Sequence, residues 1–345
     1  MSLHQNILSY LQRHAPDALG FWTVAGTAVR PELLAVCDTF YSLKLIGALE
    51  RLAPDAGQRF ALLLGAYRLA GGIGYGQGRV LNVHKTAYAL GVLNFLAAHG
   101  RPVQQEALRD EGWRNRELLD HRDRPRWPWY FTHHAWRVGH WIGGIPAIVL
   151  SLWRLAPEQA LHNRLPSPET VLDSSDALID RHTGLFRAYR IEAVQKAFRA
   201  LYRVRHDPEA ADLGGIAHLH WGNYAAGRLP YKAAPALFDR TWALLERRRP
   251  FMERVPYCLD FDVLHLARTA IPEDDHRMPA LEARVGDYAG DIHRFYDSDL
   301  DGGYALHKLP GGLAALHECA LTARKATVPG LDIAPVDVAR EACWI

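Results

Sequence analysis

Apolar residues recur along this chain at the three- and four-residue spacing of helices, and no strict alternation marks a half-buried strand. The pattern predicts a short helix over 6–13 and a long one over 31–52. Pro31 stands near the start of the latter, where its missing N–H costs nothing. Pro54-Asp55-Ala56-Gly57 makes a turn, and 59–70 comes back. Further helices are predicted over 80–98, 135–155, 168–179, 190–205, 208–217, 231–248, 257–270, 278–296, 311–324 and 335–343. That gives about twelve helices with connections of ordinary length. Gly143-Gly144-Ile145-Pro146 predicts a break or kink within 135–155, because proline lacks the backbone donor and clashes with the preceding turn. Residues 220–230 read as a loop, so that 218–224 stand at a helix end. No low-complexity linker divides the chain, so 1–345 reads as a single all-α domain.

Composition narrows this picture. At 49% hydrophobic over 345 residues, the chain has material for a sizeable core. Its 40 basic and 38 acidic residues leave a net charge of +2, which is no footprint for nucleic acid. The run Glu246-Arg247-Arg248-Arg249 follows a helix, where cations complement the helix dipole. Cys37, Cys258, Cys319 and Cys343 are scattered and form no CxxC pair, so neither a disulfide framework nor a zinc site is expected. The N-terminus lacks the profile of a signal peptide. The longest apolar stretch, 142–153, is too short to span a bilayer and contains Pro146. The expectation is a cytoplasmic protein with no transmembrane segment, no cofactor and no metal. Its partner would be a small-molecule or oligosaccharide substrate, and its oligomeric state stays open. The apolar Cys343-Trp344-Ile345 is expected to dock against the helices.

Three glycine-aromatic turns each precede a helix rich in Ala and Leu. They are Gly71-Gly72-Ile73-Gly74-Tyr75-Gly76, Thr183-Gly184-Leu185-Phe186 and Asp301-Gly302-Gly303-Tyr304. The first is no nucleotide-phosphate loop, since no strand precedes it and no Gly-Lys-Ser/Thr follows. A repeated helical hairpin cannot bury its apolar face alone and must stack on neighbours, in a row or in a ring. Such hairpins resemble the α/α-toroid proteins: six-hairpin glycosidases, toroidal polysaccharide lyases, and the terpene-cyclase or prenyltransferase relatives. The resemblance implies an (α/α)6-like toroid with a central cavity, entered from the end that carries the inner-helix N-terminal loops. His140-Trp141-Ile142-Gly143-Gly144-Ile145-Pro146 resembles the Trp-rich segment of toroidal lyases of acidic polysaccharides, without that motif's asparagine and glutamate. Asp260-Phe261-Asp262-Val263 is similar to the first part of the DxDD acid motif of class II terpene cyclases, with Val263 in place of the last aspartate. Asp301-Gly302-Gly303-Tyr304 resembles the repeat turn of cyclases and prenyltransferases.

Three constellations carry candidate chemistry. The first is Thr132-His133-His134-Ala135-Trp136-Arg137 with His140-Trp141. On a helix, Trp136 and His140 share one face, and His133 and Arg137 another. Arg137 suits a substrate carboxylate, His134 and His140 suit proton transfer near neutral pH, and Trp136 and Trp141 suit stacking on sugar rings. The second is His218-Leu219-His220-Trp221-Gly222-Asn223-Tyr224. Here His220 is a proton-transfer candidate, Asn223 and Tyr224 would hold substrate, and Trp221 would stack on it. The alternative is a glycine turn with aromatic packing. The third is acidic. Burial of Asp262 in an apolar frame would raise its pKa and keep it protonated, as a general acid requires. Asp260, two residues away, cannot share its helical face, so one of the pair is expected to cap a helix. Asp297, Asp299 and Asp301 have the spacing of calcium ligands but lack the later glutamate, and read as a solvated turn. Asp38 and Tyr41, inside an apolar helix, are expected to point inward, and Asn82, His84 and Lys85 open another helix.

The first expectation for function is an enzyme acting on an acidic saccharide by hydrolysis or β-elimination. Asp262 would be its acid, His134, His140 and His220 its proton-transfer groups, and Arg137, Trp136, Trp141, Trp221, Tyr224 and Tyr304 its binding residues. The alternative is an isoprenoid cyclase or isomerase in which protonated Asp262 starts a carbocation. The 10 Trp, 14 Tyr and 11 Phe suit that through cation–π contact, whereas 18 His suit it less. A non-catalytic scaffold is the third reading.

Overall fold

A computed structural model describes residues 2–26, 31–67, 82–101, 135–186, 197, 200–201, 208–247, 250–298, 300 and 303–345. These residues are helical, with no strand among them beyond one isolated bridge between Ile179 and Phe186. Among the described residues fourteen α-helices have both ends placed; the first are α1 (Leu3–His14), α2 (Pro16–Thr23), α3 (Leu33–Leu45), α4 (Ala56–Tyr67) and α5 (Val83–Ala98). Then come α6 (Ala135–Leu155), α7 (Pro157–His162), α8 (Pro168–Asp176), α9 (Pro208–Ala225) and α10 (Ala234–Arg247). The last are α11 (Cys258–Ala270), α12 (Met278–Ser298), α13 (Leu309–Thr322) and α14 (Val338–Ala342).

Local chemistry sets the helix starts. Side-chain oxygens of Ser2, Glu32, Asn82, Ser167 and Asp337 accept the free N–H groups of α1, α3, α5, α8 and α14. Proline opens α2, α7, α8 and α13, where no donor is lost. At α11 the Oδ2 of Asp260 accepts the backbone N–H of Tyr257 at 2.7 Å. The long predicted helix 31–52 stops at Leu45, because Gly47 takes a left-handed φ of +74° and turns the chain.

Packing runs in a cycle. Helix α3 packs on α5, α5 on α6, α6 on α9, α9 on α11, α11 on α13, and α13 back on α3. These six helices are buried on nearly every side, as apolar surface all round a helix demands. Helices α10 and α12 keep one buried and one exposed face, and they attach to α11 and α13. Likewise α2 and α4 attach to α3, and α8 to α6.

Residues 336–344 touch all six helices of the cycle. The Val336 N–H donates to His317 Nδ1 on α13, and Asp337 pairs with Tyr224 on α9 and Arg268 on α11. Arg154 on α6 donates to Arg340 O, Asn94 on α5 to Ala342 O, and Tyr41 on α3 to Trp344 O. The expected docking of Cys343-Trp344-Ile345 is therefore deep, with Trp344 fully buried among the six helices.

Two expectations are corrected here. First, α6 runs without interruption through Gly143-Gly144-Ile145-Pro146. Its glycines serve a close helix crossing instead of a break. A Cβ on Gly139 would lie 2.2 Å from Gly215 O, and one on Gly143 would lie 2.2 Å from His218 O. Second, the loop predicted over 220–230 begins later, since α9 continues to Ala225 and the chain turns only at Gly227, with φ +73°. The turn at Gly184 forms with φ +71°. Gly71–Gly76 and most of the predicted helix 190–205 lie outside the described residues.

Candidate functional site

The site is built around one orphaned acid. Asp262 lies in the second turn of α11, fully buried, and neither carboxyl oxygen has a hydrogen-bond partner. Burial holds its pKa well above the usual carboxylate range, and nearby Asp260 adds to this. Both effects favour the protonated, neutral form of Asp262. Asp260 does different work: it accepts from the N–H groups of Met252 and Tyr257 and from the hydroxyl of Tyr288. Burial pushes its pKa up to about 6, and those hydrogen bonds restrain the rise. This is the division between a cap and an inward-facing acid that two-residue spacing predicts.

An aromatic cluster adjoins the acid through His218. His218 Nδ1 lies 3.8 Å from Asp262 Oδ2, and the His218 ring stacks on Trp221 with centroids 4.6 Å apart. Trp344 meets His218 edge-on at 4.8 Å and Trp221 at 5.4 Å, while Phe261 packs on Trp221 at 5.1 Å. His218 donates from Nδ1 to Gly214 O within its own helix, and burial lowers its pKa to about 3. It is a neutral ring at physiological pH, beside an acid whose burial favours the protonated form.

From Trp344 the contacts continue towards solvent. The Trp344 indole N–H donates to His84 Nδ1 at 3.2 Å. The His84 ring stacks on Tyr88 and meets His307 edge-on at 5.4 Å. His307 Nδ1–H and the Tyr88 hydroxyl both donate to Asp38 Oδ1, at 2.9 Å and 2.8 Å. Asp38 is buried, whereas the side chain of His307 is 45% exposed. Burial works to lower the His307 pKa, but the hydrogen bond to Asp38 and its charge outweigh it, and the net shift is upward. A continuous run thus leads from Asp262 through His218, Trp344, His84 and His307 to Asp38, drawing on α3, α5, α9, α11 and the segments beside α13 and α14.

A second polar cluster is built differently. Glu318 on α13 is buried and receives Arg268 Nε at 2.6 Å, Arg268 Nη2 at 3.0 Å and His265 Nδ1 at 3.1 Å. Burial would raise its pKa, but Arg268 overrides this and holds it at about 2. Arg268 also donates to the Tyr224 hydroxyl, which itself donates to Asp337 Oδ2 at 2.6 Å. Every strong charge here has a partner.

The sequence-predicted residues divide between these surroundings. Asp262 and Trp221 meet in the aromatic site. Tyr224 belongs to the paired network and is held by Arg268 and Asp337. His220 faces away from His218: it stacks on Tyr231 at 4.0 Å, accepts from Asn223 at 3.4 Å, and burial lowers its pKa to about 3. A helical spacing of two gives the two histidines different faces, which a loop would not have imposed. Tyr304 is buried, and its hydroxyl donates to Pro256 O at 2.6 Å, so it fastens the turn before α13. Asp297 pairs with His293 at 3.1 Å, while Asp299 and Asp301 lie outside the described residues. His134 also lies outside them, as do the side chains of Trp136, Arg137, His140 and Trp141.

Asp38 points inward as expected. His307 was missed by sequence reasoning, His84 was seen only as a helix opener, and Trp344 only as part of an apolar segment expected to dock. Each stands alone in the sequence, far from its partners. The one local signal was His84 and Tyr88, four apart on one helical face. Among the described residues no group of three metal-ligating side chains converges, and no helix is long and apolar enough to cross a membrane. Compared with known families, curated proteins and solved structures, the chain matches none.

Proposed function

We propose that this protein is an enzyme that protonates an unsaturated apolar substrate: an isoprenoid cyclase or isomerase with Asp262 as the proton donor. The observation that carries the reading is the carboxyl of Asp262, buried without a hydrogen-bond partner beside His218, the ring that Trp221 and Trp344 pack on. An acid held neutral by its surroundings is what proton donation to a weakly basic carbon–carbon double bond needs. The indole faces beside it would stabilise the resulting carbocation through cation–π contact. The architecture fits a closed (α/α)6-like toroid of helical hairpins, since six helices follow one another in a cycle of contacts with the others attached to them.

A saccharide enzyme, hydrolytic or eliminating, is the second reading. It is favoured by Asp38 and Asp262 standing at the two ends of one run of contacts, since two carboxyls are the usual equipment of glycosidases. A thermal-shift screen separates the two. The panels are isoprenoid chains with their diphosphates, and acidic oligosaccharides. A ligand at a hundredfold its dissociation constant adds about 2.7 kcal/mol. The proposal expects a shift with the isoprenoids, and their consumption by the wild type but not by Asp262→Asn. A shift with the saccharides alone would replace it with the second reading.

A further inference from the structure

The run of contacts from Asp262 to Asp38 contains, at its solvent side, a histidine equipped to receive a proton. His307 gives its Nδ1–H to Asp38 Oδ1 at 2.9 Å, which leaves Nε2 as the accepting nitrogen of a half-open side chain. The same oxygen takes the Tyr88 hydroxyl, so Asp38 is fixed from a second side. The other histidines on the run are unsuited. His84 accepts the Trp344 indole N–H at Nδ1, so in its neutral form the proton sits on Nε2. His218 is bound to a helix carbonyl and held near a pKa of about 3 by burial. Around His307 the charged and titratable groups are Asp38, Tyr88, His84, Glu32 and Lys85, the last two paired with each other at 2.7 Å.

We propose that His307, positioned by Asp38, is the proton acceptor that ends the reaction Asp262 begins, so that the enzyme rearranges its substrate without adding water. The inference rests on Asp262 being the acid. In the first step the O–H bond of Asp262 breaks and its proton forms a C–H bond at one alkene carbon. The other carbon becomes cationic and Asp262 becomes a carboxylate. In the last step a C–H bond beside the final cation breaks, its electron pair forms a new double bond, and the proton passes to His307 Nε2. Exchange with solvent restores both groups. Nothing is oxidised or reduced, and product and substrate are isomers.

The test offers geranylgeranyl diphosphate and squalene in D2O to the wild type and to Asp262→Asn, His307→Gln, His307→Asn, Asp38→Asn and Asp38→Glu, with products read by mass spectrometry and NMR. The wild type is expected to give an isomer carrying one deuterium. His307→Gln and His307→Asn are expected to go on consuming substrate while yielding water-captured alcohols or other alkene isomers, with at least tenfold less of the native product. Asp38→Asn is expected to move the His307 titration, followed by imidazole NMR, and the ascending limb of the pH–rate profile to lower pH, and Asp38→Glu to restore both. Native product in native proportion from both His307 variants, with Asp262→Asn inactive, would overturn the assignment of His307 alone. Full activity in Asp262→Asn, or no consumption of either probe by the wild type, would overturn the acid and this inference with it.

Discussion

Asp262 and Glu318 are buried carboxyls on neighbouring helices, α11 and α13, and their surroundings treat them in opposite ways. Glu318 is fixed by Arg268 and His265 and is ionised, with a pKa of about 2. Asp262 has no hydrogen-bond partner, and burial raises its pKa well above the carboxylate range, towards the neutral form. Both are almost completely removed from water, at 1% and 0% exposure, so burial alone does not decide the charge. A partnered carboxylate is a structural tie. An unpartnered acid stores a proton in the protein interior, at a cost the rest of the fold must carry.

The sharpest way to break this comparison is to neutralise each acid in turn. Asp262→Asn keeps the size of the side chain and removes its acidic proton. Turnover is expected to fall about 10²–10⁴-fold, the usual contribution of a general acid, with the fold retained. Unchanged turnover would remove Asp262 from the mechanism. Glu318→Gln leaves the part-buried Arg268 guanidinium with only the longer carboxylate contact, to Asp337 at 3.6 Å. Urea unfolding should show a loss of about 3–5 kcal/mol. A neutral effect would mean that Arg268 finds another partner.

The pH dependence of stability should carry opposite signs for the two acids. The Glu318 pKa is depressed, so its contribution is present above the ordinary glutamate value of 4.5 and is lost as pH falls towards about 2. That loss is roughly 3 kcal/mol. His218, His220 and His317 act in the same direction, because burial lowers them to about 3, 3 and 4. Their contribution is complete above the ordinary histidine value and is lost as pH falls below it. Asp262 is raised, so its contribution is present at low pH and is lost as pH rises. Thermal melts from pH 4 to 8 should therefore show Asp262→Asn gaining on the wild type as pH increases. Parallel curves would show that Asp262 is ionised in the fold. The smallest effect is expected at the edge of the paired network. Tyr224→Phe removes a hydrogen bond to Asp337 and should cost about 1–2 kcal/mol in the same unfolding assay.

How much of this was legible follows from where the signals sit. All-round apolar helices such as α5 and α13 were readable because that pattern suits only a helix buried on every side. Asp262 stood out as an acid in an apolar frame, and its division of labour with Asp260 followed from their spacing. The helical state of 220–225 was not legible. Glycine and a following proline outweighed a continuous apolar pattern that tertiary packing preserves through Ala225. Gly143-Gly144-Ile145-Pro146 misled for a related reason, since its neighbouring Gly139 and Gly143 answer to the backbone of α9, which the sequence does not display. His307 and Asp38 are 269 positions apart, and only the closing of α13 on α3 brings them together.

The most direct test of the account is the protonation state of Asp262. In protein carrying 13C-labelled aspartate, its carboxyl resonance, assigned by its loss in Asp262→Asn, would be followed from pH 4 to 8. The account predicts a protonated carboxyl at neutral pH. Titration in the ordinary carboxylate range, near pH 4, would contradict it.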